Sequence, residues 1–130
     1  MERRVINPWT WQQQFGFVQA NEVRHPQRVL FIAGQTALDA EANVIAVGDM
    51  RGQVEAALDN LETVLRQAGM SFANLVRVNY YSTDLDRFMQ ESGEVLARRL
   101  AGVEYVTTYL GITRLALPDL LVEIEATSVA

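Results

Sequence analysis

The chain has 130 residues, a formal net charge of −5 and no cysteine. This length supports one domain over residues 1–130, and the absence of thiols excludes disulfides, thiolate metal sites and a cysteine nucleophile. The basic residues are all arginine and are scattered, so no basic patch predicts a nucleic-acid partner. No apolar run approaches the roughly 20 residues of a membrane helix, and none follows the N-terminal arginines as in a signal peptide. We therefore predict a soluble, cytoplasmic protein with no membrane partner.

The first third of the chain predicts short strands joined by turns. One strand is expected near the N-terminus and another near Phe15–Gln19. The run Arg28–Ala33 is apolar on both sides, which is typical of a strand with both faces covered. His25, the only histidine, precedes it in a turn-like segment, so we expect a surface loop histidine. One histidine and no cysteine predict no transition-metal site.

Two later segments have the apolar spacing of three and four residues that is typical of amphipathic helices. They cover about residues 49–68 and 85–101. Suitable caps flank both: Asp49 and Gly69 for the first helix, and Thr83 or Asp84 with Gly102 for the second. Gly93 lies in the middle of the second helix, where either close packing against a neighbour or a tolerated defect would account for it.

Three further strands are predicted at Leu75–Ser82, Val103–Thr113 and Leu120–Ser128. Each alternates between two kinds of side chain, so each has one face toward the helices and one away from them. The positions expected toward the helices are Val76, Val78, Tyr80, Val106, Leu110, Ile112, Val122, Ile124 and Ala126. The positions expected on the opposite face are Arg77, Asn79, Tyr81, Tyr105, Thr107, Tyr109, Glu123 and Glu125.

These elements predict an α+β fold with a six-stranded mixed sheet and two helices on one face. Two helices cover only one face of such a sheet. The other face mixes tyrosine, threonine, glutamate and apolar side chains, a composition that suits a subunit interface with wet clefts.

Several short motifs, in order and at matching spacing, resemble the YjgF/RidA family, which is also called the L-PSP endoribonuclease family. They are Ala33-Gly34-Gln35, Ala57-Leu58-Asp59-Asn60-Leu61, Thr83-Asp84-Leu85 and Leu121-Val122-Glu123-Ile124-Glu125-Ala126. The resemblance covers the chain from about Phe15 onward. It implies a chorismate-mutase-like fold and a homotrimer whose sheets form a central β-barrel. It also implies small-molecule clefts at the subunit boundaries, and no cofactor.

The resemblance also implies a set of site residues. The best-known members hydrolyse reactive imines and enamines such as 2-aminoacrylate. They use a glutamate near the C-terminus, an arginine that binds the substrate carboxylate, and a tyrosine, a serine and an asparagine. In this sequence those positions fall on Glu123, Thr107, Phe17, Ala33 and near Ser92, respectively. Gly34, Tyr105 and Tyr109 complete the expected ligand-binding set. The chain therefore resembles branches of the family that lack the arginine.

Glu123 is the best chemical candidate, because a carboxylate in a partly apolar cleft can act as a general acid or base. The alternative is a solvated or salt-bridged strand glutamate. Arg114 is expected in a structural ion pair on the helix side, and Arg77 has the better parity for a ligand clamp. The aromatic residues Trp9, Trp11, Phe15 and Phe17 either pack in a core or interface, or line the mouth of the cleft.

Three functions from different classes remain open on the sequence. The first is a hydrolase or deaminase of a small metabolite, with Glu123 handling water. The second is a trimer that binds a metabolite without turning it over. The third is a ribonuclease, which the acidic composition disfavours. Because Thr107 offers only a neutral hydroxyl, we expect little hydrolysis of 2-aminoacrylate-type imines.

Overall fold

The computed structural model describes residues 1–130, and its six strands form two separate sheets. In chain order the elements are β1 (Glu2–Ile6), a 3₁₀ turn (Trp11–Phe15), β2 (Ala20–Arg24), β3 (Val29–Gln35), α1 (Met50–Gln67), a 3₁₀ turn (Phe72–Asn74), β4 (Leu75–Ser82), α2 (Leu85–Arg99), β5 (Val106–Gly111) and β6 (Val122–Val129). The larger sheet has the order β3-β6-β4-β5, in which only β4 and β5 are parallel. The α+β class and the six strands are confirmed, whereas the single six-stranded sheet is wrong.

The second sheet is the antiparallel pair of β1 and β2, and side chains rather than a backbone ladder attach it to the larger sheet. The Arg3 guanidinium donates to the carbonyl oxygens of Leu75, at 2.8 Å, and Glu104. The Asn21 amide donates to the carbonyl oxygens of Val76, at 2.9 Å, and Glu104, at 3.0 Å. These bonds use carbonyls near the start of β4 and ahead of β5, so the pair lies against that end of the sheet without continuing it.

Both helices begin where the sequence predicts, and α1 also ends there, whereas α2 ends at Arg99, two residues before the predicted end. The Asp49 carboxylate accepts from the Gly52 backbone N–H at 2.9 Å, and the Asp84 carboxylate accepts from that of Arg87 at 3.1 Å. Beyond the C-terminal ends, Gly69 and Gly102 have φ of 70° and 74°, which glycine adopts without steric cost. Asp84, rather than Thr83, is therefore the cap of α2.

The two helices lie side by side on one face of the four-stranded sheet, as predicted. Helix α1 crosses β3 and β6, and α2 crosses β4 and β5. Their apolar stripes and the inward side chains of the strands form one core, which contains Met50, Val54, Leu58, Leu61, Leu65, Val78, Tyr80, Phe88, Val95, Val122 and Ile124. The opposite face of the sheet, here called the open face, carries no helix, and Asn21 and Val23 of β2 share a groove with its residues Arg77, Val106 and Thr127.

The parity predicted for β5 is wrong, whereas it is right for β6 and for Val78 and Tyr80 of β4. Val76 is an exception in β4, because a β-bulge between Leu75 and Arg77 places it in a groove with Arg77 and Val106 and outside the core. Tyr109 stacks on Tyr80 at a centroid distance of 5.2 Å and contacts Phe88 of α2 at 6.2 Å, so it faces the helices. The prediction treated Ile112 as part of the strand, but β5 ends at Gly111. Without Ile112 the remaining alternation contrasts Val and Leu with Tyr and Thr, which is too small a difference in polarity to identify the buried side.

Two expectations for the N-terminal third are also wrong. Residues 15–19 do not form a strand: a 3₁₀ turn ends at Phe15, and the strand begins at Ala20. Strand β3 is not covered on both faces, because Phe31 is 81% exposed while Ile32 is buried. Its second apolar face is part of the open face, where nothing in the same subunit packs on it.

No helix of the protein is long and apolar enough to cross a membrane.

Candidate functional site

The open face collects the polar side chains of three neighbouring strands. Strand register places Arg77 beside Thr127 and Val106, Asn79 beside Glu125 and Thr108, and Tyr81 beside Glu123 and Leu110. Side chains at paired positions point to the same side of a sheet. The open face therefore presents two carboxylates, one guanidinium and a phenol, and β5 contributes Val106, Thr108 and Leu110 to it.

Glu123 is half-buried on the open face and has no hydrogen bond or ion pair within the subunit. Its carboxylate lies directly above Gly34: a Cβ built on Gly34 would lie 1.7 Å from Glu123 Oε1. Real Cβ atoms do not approach other atoms this closely, so only glycine at position 34 permits the observed position of the carboxylate. The sequence motif containing Gly34 and the one containing Glu123 thus meet in space.

A β-bulge shapes the backbone under Glu123. Ile32 pairs with Ala126 and Gln35 with Ile124, so two residues of β3, Ala33 and Gly34, face one residue of β6. The side-chain amide of Gln35 donates from Nε2 to the Ala33 carbonyl oxygen at 3.1 Å. Bulges interrupt the ladder and re-aim side chains, and here the bulge brings exposed Ala33 and half-buried Gly34 next to the carboxylate.

Glu125, one position along the same face, has the opposite environment. The Tyr81 hydroxyl donates to its Oε1, and the Asn79 amide donates to the same oxygen at 3.2 Å. These bonds, from Tyr81 first and Asn79 second, lower the pKa of the Glu125 carboxyl. In return, the bond to Glu125 raises the pKa of the Tyr81 phenol. Glu125 therefore remains ionised near neutral pH.

Asn79 is fixed at both ends of its amide, since its Oδ1 accepts from the Thr108 backbone N–H at 3.1 Å. The group formed by Arg77, Asn79, Tyr81 and Glu125 was not predicted as a site from the sequence. The available signal was the polar half of the alternation in β4, whose register with Glu125 is defined only once the strands pair.

The structure brings together three of the predicted site residues and separates the rest from them. Ala33, Gly34 and Glu123 are neighbours on the open face. Thr107 and Tyr109 face the helices, and the Thr107 hydroxyl oxygen is buried without a hydrogen-bond partner. The arginine-equivalent position assigned to Thr107 is therefore not on the open face. The β5 residues that do lie there, Val106, Thr108 and Leu110, are not arginine either.

Tyr105 and Ser92 are also inside the subunit. Tyr105 is 3% exposed, and its hydroxyl accepts from that of Tyr80 at 3.1 Å. Burial raises the pKa of both phenols. Ser92 is fully buried on α2, and its hydroxyl has no partner. Neither residue shares a surface with Glu123 in one subunit.

Phe17 belongs to an aromatic cluster at the N-terminal 3₁₀ turn. Its ring lies 5.9 Å from Trp11 and 6.5 Å from Phe15, measured between centroids. Trp11 and Phe15 are 52% and 47% exposed, whereas Phe17 also packs against the main core. Of the two roles left open for the aromatic run, core packing applies to Phe17, and Trp11 and Phe15 are an exposed apolar patch.

The remaining candidates differ in their surroundings. Arg114 lies in the exposed loop after β5 and donates to the Leu115 carbonyl oxygen at 3.2 Å, so the predicted ion pair is absent. Arg77 is exposed on the open face and has no hydrogen bond or ion pair. His25 is exposed and has φ of 54° at the end of β2, as expected for a turn. No group of three His, Asp or Glu side chains is arranged to hold a metal ion.

A four-stranded sheet with two helices on one face, and a glutamate above a glycine bulge on the other, defines a small α+β domain. Residues 13–130 match the family described as Endoribonuclease L-PSP. A RutC family protein of Pyrococcus horikoshii is 33% identical over 97 residues, which are 75% of each chain. The structure of YyfB from Yersinia pestis, of the conserved Rid family, has a TM-score of 0.89 and 36% identity over 100% of both chains.

A shorter match, 31% identical over 61 residues, covers 47% of this chain and 45% of 2-iminobutanoate/2-iminopropanoate deaminase from Mus musculus. The family match and these relatives show that the chain belongs to the YjgF/RidA (L-PSP) family. The resemblance read from the four sequence motifs is thereby confirmed.

Proposed function

We propose that this protein is a hydrolase or deaminase of a small metabolite, in which Glu123 moves the protons of the attacking water. The observation that carries this proposal is the Glu123 carboxylate, which no donor in the subunit occupies and which Gly34 leaves room for. A general acid or base must be free to exchange protons with water or substrate. The match to a relative named as an imine deaminase supports the same reaction class.

We place the complete ligand cleft at the boundary between copies of the chain in a homotrimer. Within one subunit Glu123 lies on a half-open surface, without the enclosing walls that ligand sites usually have. The open face also exposes Phe31 at 81% and Leu110 at 46%, an apolar area that association would bury. Light scattering should give about three times the chain mass of 14.6 kDa. A stable monomer at micromolar concentration would rule out this arrangement.

The open face of β5 carries Val106 and Thr108, and this limits the substrates. A substrate carboxylate that enters a partly desolvated cleft loses water and needs a charged donor in exchange. Neither residue supplies one, and the charge of Glu123 would repel such a substrate. The proposed substrates are therefore neutral imines, enamines or related compounds, and 2-aminoacrylate-type imines should be turned over poorly.

The proposal is tested by ammonia release from imines generated in situ. An amino-acid oxidase or lyase supplies the carboxylate-bearing imine, and an amine oxidase acting on a simple primary amine supplies a neutral one. Faster hydrolysis of the neutral imine in the presence of the protein would support the proposal if it is lost in Glu123→Gln but kept in Glu41→Gln. Glu41 is a suitable control because it is exposed and its carboxylate has no partner. Equal activity of Glu123→Gln and the unaltered protein would refute the role of Glu123.

The second candidate is a trimer that binds a metabolite without turning it over. The observation that favours it is that β5 has no arginine. Val106 and Thr108, which pair with Arg77 and Asn79 on the open face, are both uncharged. Binding of a neutral ligand with no acceleration of either imine would select this candidate over the enzyme.

A further inference from the structure

Two amide side chains of α1, Gln53 and Asn60, bind the chain segments on either side of the candidate site. They are seven residues apart, about two helical turns, so they lie on one face of α1. Their hydrogen bonds reach the backbone that precedes β6 and the backbone that follows β3. Asn60 also belongs to the sequence motif of residues 57–61, to which the proposed function gives no role.

Gln53 holds the segment that leads to Glu123. Its side chain is fully buried, and its Oε1 accepts from the Leu121 backbone N–H at 2.8 Å. Its Nε2 donates to the Asp119 carbonyl oxygen at 2.9 Å. The Leu121 carbonyl oxygen in turn accepts from the hydroxyl of buried Ser82 at 2.8 Å. Leu121 is two residues before Glu123, so both of its backbone groups are fixed where the chain enters β6.

Asn60 holds the segment that leaves Gly34. Its Nδ2 donates to the carbonyl oxygens of Thr36, at 2.8 Å, and Leu38, at 3.0 Å. Thr36 is two residues after Gly34 and directly follows the last residue of β3. One helix face therefore fixes the backbone on both sides of the contact between Gly34 and Glu123.

That contact depends on the spacing of the two backbones. A Cβ on Gly34 would lie 1.7 Å from Glu123 Oε1, so the carboxylate lies directly on the backbone of the bulge. A shift of either segment changes the position of the carboxylate, and a catalytic group misplaced by about 1 Å can lose about 100-fold in rate. Both amides are uncharged, so they fix the backbone without placing a charge near Glu123.

We propose that Gln53 and Asn60 are positioning residues, which hold the Glu123 carboxylate over Gly34 by fixing the backbone next to each. Neither amide contacts the substrate, because both act from the helix side of the sheet. The functional meaning of this arrangement rests on the proposed hydrolase role of Glu123. The position of the carboxylate itself is measurable without any activity.

The probe is ¹³C NMR of the full chain labelled at the glutamate side-chain carboxyl carbons. Loss of a signal in Glu123→Gln and in Glu125→Gln identifies the two resonances. Gln53→Met and Asn60→Leu remove the amides with little change in side-chain size. Each should shift the Glu123 resonance and leave the Glu125 resonance in place, because side chains of β4 hold Glu125.

Hydrolysis of the neutral imine is the second readout. Gln53→Met and Asn60→Leu should each lower kcat about tenfold and leave KM nearly unchanged, because the proton-transfer group moves while the binding surface stays. Adding Gly34→Ala to Gln53→Met should cause little further loss, since both changes displace the same carboxylate.

Asn74→Leu is the matched control. The Asn74 amide also donates to a backbone carbonyl of β6, that of Val129 at 3.0 Å, at the end of the strand away from Glu123. This variant should lose stability in a thermal melt and keep both the Glu123 resonance and kcat. A merely structural role of Gln53 and Asn60 would give the same pattern as this control.

An unchanged Glu123 resonance in Gln53→Met and Asn60→Leu overturns the proposal, and so does an unchanged kcat in an active protein. Gln53→Met leaves a buried N–H without an acceptor, so circular dichroism checks its folding. If it does not fold, Asn60→Leu decides, because the carbonyls it frees belong to half-buried residues that water can reach. A shifted resonance in a protein that hydrolyses neither imine would support the positioning role and refute the hydrolase, so the two proposals fail separately.

Discussion

Removing one hydroxyl of the buried Tyr80–Tyr105 pair is expected to cost more stability than the net value of one hydrogen bond, because it leaves the other hydroxyl buried without a partner. The two oxygens are 3.1 Å apart, and neither hydroxyl has another partner. Tyr80 is fully buried, so Tyr105→Phe leaves its O–H without an acceptor or water. Such an orphaned group costs about 1–3 kcal/mol. Both rings keep their packing in the phenylalanine variants, so this cost is not mixed with cavity formation.

The two single variants are not expected to be equal. Tyr105 is 3% exposed and lines a surface groove of about 290 Å³ between α2 and the N-terminal 3₁₀ turn, whereas Tyr80 is fully buried and does not line it. Tyr80→Phe should therefore cost less, about 0.5–1.5 kcal/mol. The double variant removes both polar groups and should cost less than the sum of the singles, with a coupling of about 0.5–3 kcal/mol.

Urea unfolding gives these values if the slope m stays constant among the variants. Tyr81→Phe is the matched control, because its hydroxyl is on the open face and bonds Glu125 instead. Combined with Tyr105→Phe, its effect should be additive within about 0.5 kcal/mol. Additivity of Tyr80→Phe and Tyr105→Phe within the same limit would contradict the reasoning, since it would show that the two hydroxyls do not depend on each other.

Three other outcomes follow from the core and the site. Leu61→Ala should lower the free energy of unfolding by about 2–5 kcal/mol, because Leu61 is fully buried. A loss under about 0.5 kcal/mol in a urea titration would contradict the position of α1 against the core. Burial raises the pKa of Tyr109 to about 12 from 10.0, so its stabilising contribution is complete below pH 10 and is lost as the pH rises toward 12. Tyr109→Phe should flatten that part of a plot of melting temperature against pH. Gly34→Ala should displace the Glu123 carboxylate and reduce imine hydrolysis as Glu123→Gln does, whereas Gly93→Ala, whose Cβ meets nothing within 4 Å, should keep it.

The helices and one strand could be predicted from the sequence because several local signals agree there. Helix α1 has a complete apolar stripe, an Asp49 cap that accepts from Gly52, and a glycine at φ of 70° after its end. Strand β4 was predicted with its observed bounds, since Arg77 and Asn79 contrast strongly with Val76 and Val78. Consistency of this kind between caps, periodicity and polarity leaves one structure favoured.

Strand β5 lacked that contrast, and its predicted faces were reversed. The deciding interaction is the stack of Tyr109 on Tyr80, which depends on the parallel pairing of β5 with β4. The alternation of residue types along β5 gives no information about which strand it pairs with. This error assigned Thr107 and Tyr109 to the open face, so the site predicted from the sequence included two residues that face the helices.

The bulge at Ala33 and Gly34 was also beyond prediction from a single sequence. The run around it is apolar and reads as a regular strand. The need for glycine at position 34 arises from Glu123, which is distant in sequence and lies on another strand. The residues of the candidate site could therefore be predicted, because they belong to two recognisable motifs. The contact between Gly34 and Glu123 could not, because it forms only in the folded chain.

Glu123 and Glu125 are two carboxylates on one strand face with different surroundings. Glu125 accepts two side-chain hydrogen bonds and has a lowered pKa, so it is suited to hold a constant negative charge. Glu123 has no donor in the subunit, and Gly34 leaves the space that its carboxylate occupies. The proposed hydrolase assigns proton transfer to Glu123 and not to Glu125. Exchange of the two environments would require moving Tyr81 and Asn79, which strand register holds opposite Glu123 and Glu125.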